Sequence, residues 1–306
     1  MGTVTSATEQ PETPAAGRTA PIPRLIATDL DGTLLRDDKT VSERTVAALA
    51  AAEAAGIEVF FVTGRPARWM DVASAHVHGH GLAICANGAA VVDLHDGGRF
   101  VEVRPLERAD ALAVVERLRA AVPGTSFAVE CTTGFHYEPA YPPYQLDPHA
   151  TVGPAEDFLA AAPVTGLAEA PVTGGGGEPR GPILKLLAHH PELAPDAFLA
   201  LARTAAGEHG SITRSSPTAL LEVSGLGVSK ASTLAGYCAA HGITPEEVVA
   251  FGDMPNDLEM LGWAGTSYAM ANAHPEVLAA TTHRTAANNE DGVAAVIERI
   301  VRVACR

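Results

Sequence analysis

Two aspartates one residue apart, Asp29 and Asp31, stand in the run Asp29-Leu30-Asp31-Gly32-Thr33-Leu34-Leu35, directly after an apolar stretch. The glycine lets the chain turn sharply, so both carboxylates can face one point. One can attack phosphorus as a nucleophile while the other gives a proton to the departing oxygen. The same spacing also makes Asx-type turns and calcium loops, so the run alone leaves both chemistries open. A second acidic pair, Asp253 and Asp257, lies in Gly252-Asp253-Met254-Pro255-Asn256-Asp257. Four carboxylates brought to one place would raise one another's pKa unless a cation lay among them. Oxygen ligands alone beside a phosphate favour Mg²⁺ as that cation.

Two further positions could hold the phosphate. Thr63 and Gly64 close an apolar run, where a hydroxyl and backbone amides could grip phosphate oxygens; an ordinary Thr-Gly turn reads the same way. Lys230 falls in the first turn of an expected helix, where the helix dipole disfavours a cation. A bound anion would resolve that conflict, and so would plain exposure to solvent.

These residues need a scaffold, and the flanking sequence supplies one. Residues 24–29 (RLIATD) read as a buried strand, 42–55 as an Ala-rich helix with Ser42 as N-cap and Gly56 as its stop, and 57–62 (IEVFFV) and 82–86 (LAICA) as further buried strands. This alternation predicts an α/β fold, a Rossmann-like doubly wound parallel sheet, with ligands at the carboxyl ends of its strands. The far end repeats the pattern: helix at 229–240, strand at 248–252, short helix from 257, strand at 266–271 and amphipathic helix at 291–302. Between them, β-rich pieces (VEVRP, SFAVE, FHYEP, ILKLLAHH, LLEV) surround two Ala-rich helical stretches, with a Gly/Pro-rich loop at 172–182. The expected organisation is a tail at 1–23, a core from 24–88 and 223–306, and a smaller α/β domain inserted at 89–222.

Bulk composition narrows the function. The chain has 306 residues and a formal net charge of −15, which argues against a nucleic-acid binder needing a basic face. Phosphate chemistry here must rely on local cations. Cys85, Cys131, Cys238 and Cys305 show no C-x-x-C spacing and read as reduced, mostly buried residues. No apolar run approaches the ~20 residues of a membrane span. Residues 1–23 lack a signal peptide's basic flank and apolar stretch, so the default expectation is cytoplasmic. The opening MGTVTS fits the loose myristoylation pattern and equally a frayed tail. Monomer and homodimer both remain open.

Taken together, the motifs carry a resemblance. DLDGTLL resembles the first motif of the haloacid dehalogenase-like superfamily, and VTGR (62–65), GVSKASTL (227–234) and GDMPNDLEM (252–260) follow in that family's order. ANGA (86–89), MANAHPEV (270–277) and NNEDGVAAVIE (288–298) are smaller echoes. The likeness covers about 24–88 and 223–306 and is greatest to the Cof-type branch. It implies an Mg²⁺-dependent phosphatase in which Asp29 becomes phosphorylated and Asp31 serves as acid and then base. It implies phosphate contacts from Thr63, Gly64, Lys230 and Asn256. The metal would be held by the side chains of Asp29 and Asp253 and the backbone carbonyl of Asp31, with Asp257 acting mainly from behind them. Asp31 separates the chain from dehalogenases and cation pumps, leaving a phosphatase or a phosphomutase. A non-catalytic binding protein is the reading from another class, and the retained Asp29, Asp31 and Lys230 speak against it.

In the resemblance, the insert at 89–222 is a cap that selects the substrate, a small phosphorylated metabolite. Sugar phosphates are the first expectation and phosphorylated cofactors the second. His136, Tyr137, Arg214 and Ser216 could reach it, Asn87 sits where core meets cap, and Arg65 could order the site. His76, His78 and His80 could bind a metal or simply face solvent, and His189-His190 mark a strand end.

Overall fold

The computed structural model describes residues 22–74, 81–142, 149–160, 181–216 and 218–304. The expected tail up to residue 21, His76, His78, His80, Cys305 and nearly all of the 172–182 loop lie outside them. In chain order the strands are β1 (Leu25–Thr28), β2 (Glu58–Val62), β3 (Leu82–Cys85), β4 (Ala90–Asp93), β5 (Arg99–Val103), β6 (Ser126–Cys131) and β7 (Gly134–Tyr137). They continue with β8 (Thr151–Val152), β9 (Ile183–His189), β10 (Ser211–Thr213), β11 (Leu220–Ser224), β12 (Val248–Gly252), β13 (Thr266–Ala269) and β14 (His283–Arg284).

Eight strands form one sheet in the order β14-β13-β12-β1-β2-β3-β4-β5. From β14 to β3 every pairing is parallel, and β4 and β5 add antiparallel strands. The parallel strands are buried apolar runs, as a sheet covered on both faces requires. The helix Glu43–Ala54 begins where Ser42 accepts from the Thr45 amide, and it packs on the C-terminal helix Gly292–Ala304. The doubly wound α/β core is as the sequence predicts.

The expected boundary at residues 88/89 differs from the sheet. β4 and β5 pair with β3, so the chain leaves the core sheet only after Val103. The reason is the ANG turn, in which Ala86, Asn87 and Gly88 all have positive φ (50°, 57° and 101°) and reverse the chain onto β3. A side chain at Gly88 would put Cβ 2.2 Å from the Ser229 carbonyl, so only glycine lets this turn pass the start of the helix Lys230–Ala240. At the other end, β11 still belongs to the second sheet, so the core resumes after Ser224 rather than at residue 223.

That second sheet has the order β10-β11-β9-β6-β7-β8. Alternation gives its central strands two different faces. Phe127, Val129, Leu186, Ala188, Leu221 and Val223 join a core with the helices Arg108–Ala121 and Pro195–Ala206. The opposite face carries Glu130, Phe135, Tyr137, Lys185, Leu187, Leu220 and Glu222, all of which line a cavity over the core strands' carboxyl ends. Cys85, Cys131 and Cys238 are free and buried, and burial pushes their thiols up to about 12, 12 and 11, away from reactivity.

Candidate active site

Strand order explains why distant residues meet. β12, β1, β2 and β3 are neighbours, and Asp253, Asp29, Thr63 and Asn87 follow their carboxyl ends in that sequence. Neighbouring strands lie ~4.8 Å apart, so four loops become one row of side chains. The cavity above them has a volume of about 520 Å³ and is lined by Asp29, Asp31, Thr63, Gly64, Asp253 and Asn256 from the core.

Asp29, Asp253 and Asp257 are buried, each with a carboxylate oxygen within 4.8 Å of the others. Lys230, only 1% exposed, donates to Asp29 Oδ1 at 2.5 Å and to Asp257 Oδ1 at 2.7 Å. Burial works against its charge, but Asp257 and Asp29 outweigh burial and raise its pKa. One ammonium cannot balance three carboxylates. Burial pushes Asp29 up to about 7, with Lys230 pulling the other way and Asp257 adding to the rise. Burial, Asp29 and Asp257 push Asp253 up to about 8.

The shortfall of positive charge, the all-oxygen donor set and the close spacing fit a divalent cation such as Mg²⁺. Gly32 keeps the space open: at φ 77°, a Cβ there would lie 2.3 Å from Asp253 Oδ2. Asp253 Oδ1 accepts from Thr33 Oγ1 at 2.9 Å, and Asp257 Oδ2 accepts from the amides of Asp253 and Met254, both at 3.0 Å. Asp257 thus fixes the loop that carries Asp253, whatever else it holds.

Asp31 does not join this cluster through its side chain. Its carboxylate accepts from Arg65 Nε at 2.5 Å, Arg65 Nη2 at 2.8 Å and Lys39 Nζ at 2.7 Å. Burial would raise Asp31, but the hydrogen bonds and charges of Arg65 and Lys39 win and hold it down at about 2. Thr63 is buried, with its hydroxyl accepting from the Arg65 amide at 3.1 Å. Lys230 and Asp257 are not among the residues lining the cavity; both sit beneath Asp29.

Of the expected cap contacts, Tyr137 and Ser216 line the cavity. His136 turns to the other face and packs on Phe158, ring centroids 5.1 Å apart. Arg214 is buried, donating to Asp196 at 2.7 Å and lying 2.8 Å from His274 Nε2. Sequence reasoning missed Lys185 and Glu222, which are paired at 2.6 Å and reach the core. It also missed Lys39, Arg68 and Glu130. A signal existed for Lys185, Glu222 and Glu130: each is a charge among the apolar residues of a strand, where burial demands a partner.

The family model of haloacid dehalogenase-like hydrolases matches residues 26–149 and 178–297. The chain is 31% identical over 278 residues to the 5-amino-6-(5-phospho-D-ribitylamino)uracil phosphatase YitU of Bacillus subtilis, covering 89% of this chain and 95% of that one. It is 30% identical over 280 residues to the pyridoxal phosphate phosphatase YbhA of Escherichia coli, covering 90% and 97%. A haloacid dehalogenase-like hydrolase from Bacteroides thetaiotaomicron shares the fold at TM-score 0.66 and 25% identity, over 90% of this chain and 99% of that one. With the family model spanning both flanks of the insert and much of the insert itself, this chain belongs to the haloacid dehalogenase-like hydrolases.

Proposed function

We propose that the chain is an Mg²⁺-dependent phosphatase of small phosphate monoesters, working through a phosphorylated Asp29. The observation that carries this reading is the buried cluster of Asp29, Asp253 and Asp257, with Lys230 bonded to Asp29 and Asp257, where Asp29 and Asp253 line the cavity. Relatives named as phosphatases support it. Asp29 and Asp253 would hold the cation by their side chains and Asp31 by its carbonyl, with Asp257 beside them. Bound there, the cation would offset the charge on the carboxylates and on the phosphoryl oxygens.

In the first step an oxygen of Asp29 attacks phosphorus, the bond to the ester oxygen breaks, and Asp31 gives the departing alcohol a proton. In the second, water attacks the phosphorus of the aspartyl phosphate, Asp31 takes a proton from that water, and Asp29 is regenerated with release of phosphate. Thr63, the Gly64 turn and Asn256 orient the phosphoryl oxygens, and much of the acceleration in such transfers comes from positioning and electrostatics. Asp31, ionised between Arg65 and Lys39, is set for the second step. For the first it must gain a proton and come away from those cations.

The cap side of the cavity speaks to the alcohol. Trp69, Phe135, Tyr137, Tyr141, Leu187 and Leu220 line it. Charged groups nearby are engaged with one another: Lys185 with Glu222, Arg68 with Glu130, Arg65 with Asp31. A flat ring finds ring faces to lie on, while Ser215, Ser216 and Thr218, which line the same cavity, offer hydroxyls to a polyol. The lining therefore suits ring-bearing phosphorylated cofactors as well as the sugar phosphates that the sequence puts first.

The test is free phosphate released from pyridoxal 5′-phosphate, glucose 6-phosphate and glycerol 3-phosphate, with Mg²⁺ or with EDTA. Release is expected to fall at least about a hundredfold in EDTA. Equal release in EDTA, or none from any ester, would overturn the reading; isomerised sugar phosphate without net release would point to a mutase. Tyr137→Ala is expected to raise KM for pyridoxal 5′-phosphate about five- to tenfold. KM for glycerol 3-phosphate should change less than about twofold, and a matching rise there would refute the ring contact.

A further inference from the structure

Lys185 and Glu222 lie on adjacent antiparallel strands, β9 and β11, and both point to the cavity side. Each is only 4% exposed. A buried ion pair is an expensive way to build a sheet face that otherwise carries Leu187, Leu220 and Phe135, because apolar side chains there would cost no desolvation. What the pair adds is reach. Lys185 Nζ donates to the Gly64 carbonyl at 2.7 Å and to Glu222 Oε1 at 2.6 Å. Glu222 Oε2 accepts from Asn87 Nδ2 at 2.8 Å, and Asn87 Oδ1 accepts from Asn256 Nδ2 at 2.9 Å.

The direction of this chain is forced. An amide side chain can present either its oxygen or its NH₂ to a neighbour, and nothing in its shape chooses between them. A carboxylate only accepts. Asn87 must therefore turn its NH₂ to Glu222 and its oxygen to Asn256, and Asn256 must turn its NH₂ to Asn87. The other hydrogen of that NH₂ is left for a second acceptor in the cavity that Asn256 and Asp29 both line. Asn87 holds its place at φ 57°, a left-handed conformation that asparagine tolerates better than most residues.

We propose that Glu222 and Lys185, both from the inserted sheet, are positioning residues of the phosphate pocket: Glu222 orients Asn256 through Asn87, and Lys185 anchors the turn at Gly64. The proposal rests on the phosphatase reading and extends it. Neither residue grips the alcohol. Docking of the insert then completes the phosphate site itself as well as covering it.

The experiment measures binding of inorganic phosphate by titration calorimetry with Mg²⁺ present, alongside kcat and KM for three esters. Glu222→Gln, whose amide can face either way, is expected to weaken phosphate binding about tenfold and to lower kcat/KM by a similar factor for every ester. In an Asn256→Ala background the same substitution is expected to change phosphate binding less than about twofold, since neighbours acting through one group are not additive. Losses that differ from ester to ester, with phosphate binding unchanged, would instead make the pair a contact for the alcohol and overturn the proposal. So would full effects in both backgrounds.

Removing one charge could harm folding, so the double variant Lys185→Met/Glu222→Leu provides the control. It is expected to keep its Tm and still bind phosphate at least about tenfold more weakly; undiminished binding would refute the positioning role. A wild type that binds phosphate but releases none from esters would sink the phosphatase reading while leaving this test readable. A wild type that releases phosphate from esters but binds no inorganic phosphate would overturn the positioning proposal and leave the phosphatase reading standing.

Discussion

Replacing Asp29 by asparagine is expected to abolish phosphate release while leaving the fold as stable as before, or more so. The amide nitrogen is a poor nucleophile and its carbonyl oxygen carries little charge, so the proposed covalent step would lose its attacking atom. A loss of at least about 10,000-fold in kcat is expected, which corresponds to roughly 5.4 kcal/mol of barrier. The stability side follows from the cluster. Burial pushes Asp29 up from 3.8 to about 7, so its charge is resisted by the fold. For a carboxylate raised in this way the cost is absent below about pH 3.8, where the group is protonated folded or unfolded. It grows as pH rises and is complete above about 7. At pH 8 in EDTA, the Asp29→Asn variant is therefore expected to melt at a higher Tm than wild type. Added Mg²⁺ should then stabilise the wild type more than the variant, since the variant would offer the proposed metal one fewer charged ligand. Rates and two melting curves decide the matter. Retained activity would remove Asp29 as nucleophile, and a variant that melts early in EDTA would remove the account of the cluster.

How much of this was legible in the sequence depends on distance along the chain. Asp29, Thr63 and Asp253 could be read because each follows a short buried strand, and parallel sheets gather strand ends at one edge. Elements such as 248–252 and the helix capped by Ser229 carried local signals and lie where those signals put them. The core's extent was harder. The ANG turn looked like a junction, but its three positive φ values make it a reversal that returns the chain to the same sheet. Side-chain direction was harder still. Asp31 stands beside Asp29 in sequence, yet Arg65 and Lys39 draw its carboxylate away from the cluster. Lys185 and Glu222 are 37 residues apart, and only the β9–β11 pairing makes them partners. A lone charge in an apolar strand says that a partner exists. It does not say which one.

Lys230→Met is expected to cost both stability and activity, and the two losses can be separated. Lys230 touches Asp29 and Asp257, and its removal leaves two buried carboxylates with no counter-charge. Breaking a buried pair from one side costs roughly 3–5 kcal/mol, or a fall in Tm of about 10 °C for a chain of this size. Mg²⁺ is expected to recover part of that fall by supplying positive charge to the same cluster. Arginine should not substitute, because a site that leaves lysine 1% exposed has no room for a larger planar head. The separation comes from Lys230→Met/Asp257→Asn, which restores the charge balance by removing one carboxylate with the ammonium. The double variant is expected to regain most of the lost Tm, while kcat stays at least about a hundredfold below wild type. Stability would then depend on the sum of charges, and activity on a cation held against Asp29 as the phosphoryl group arrives. If kcat recovers along with Tm, Lys230 serves the fold alone, and the charge that assists phosphoryl transfer must come from elsewhere in the pocket.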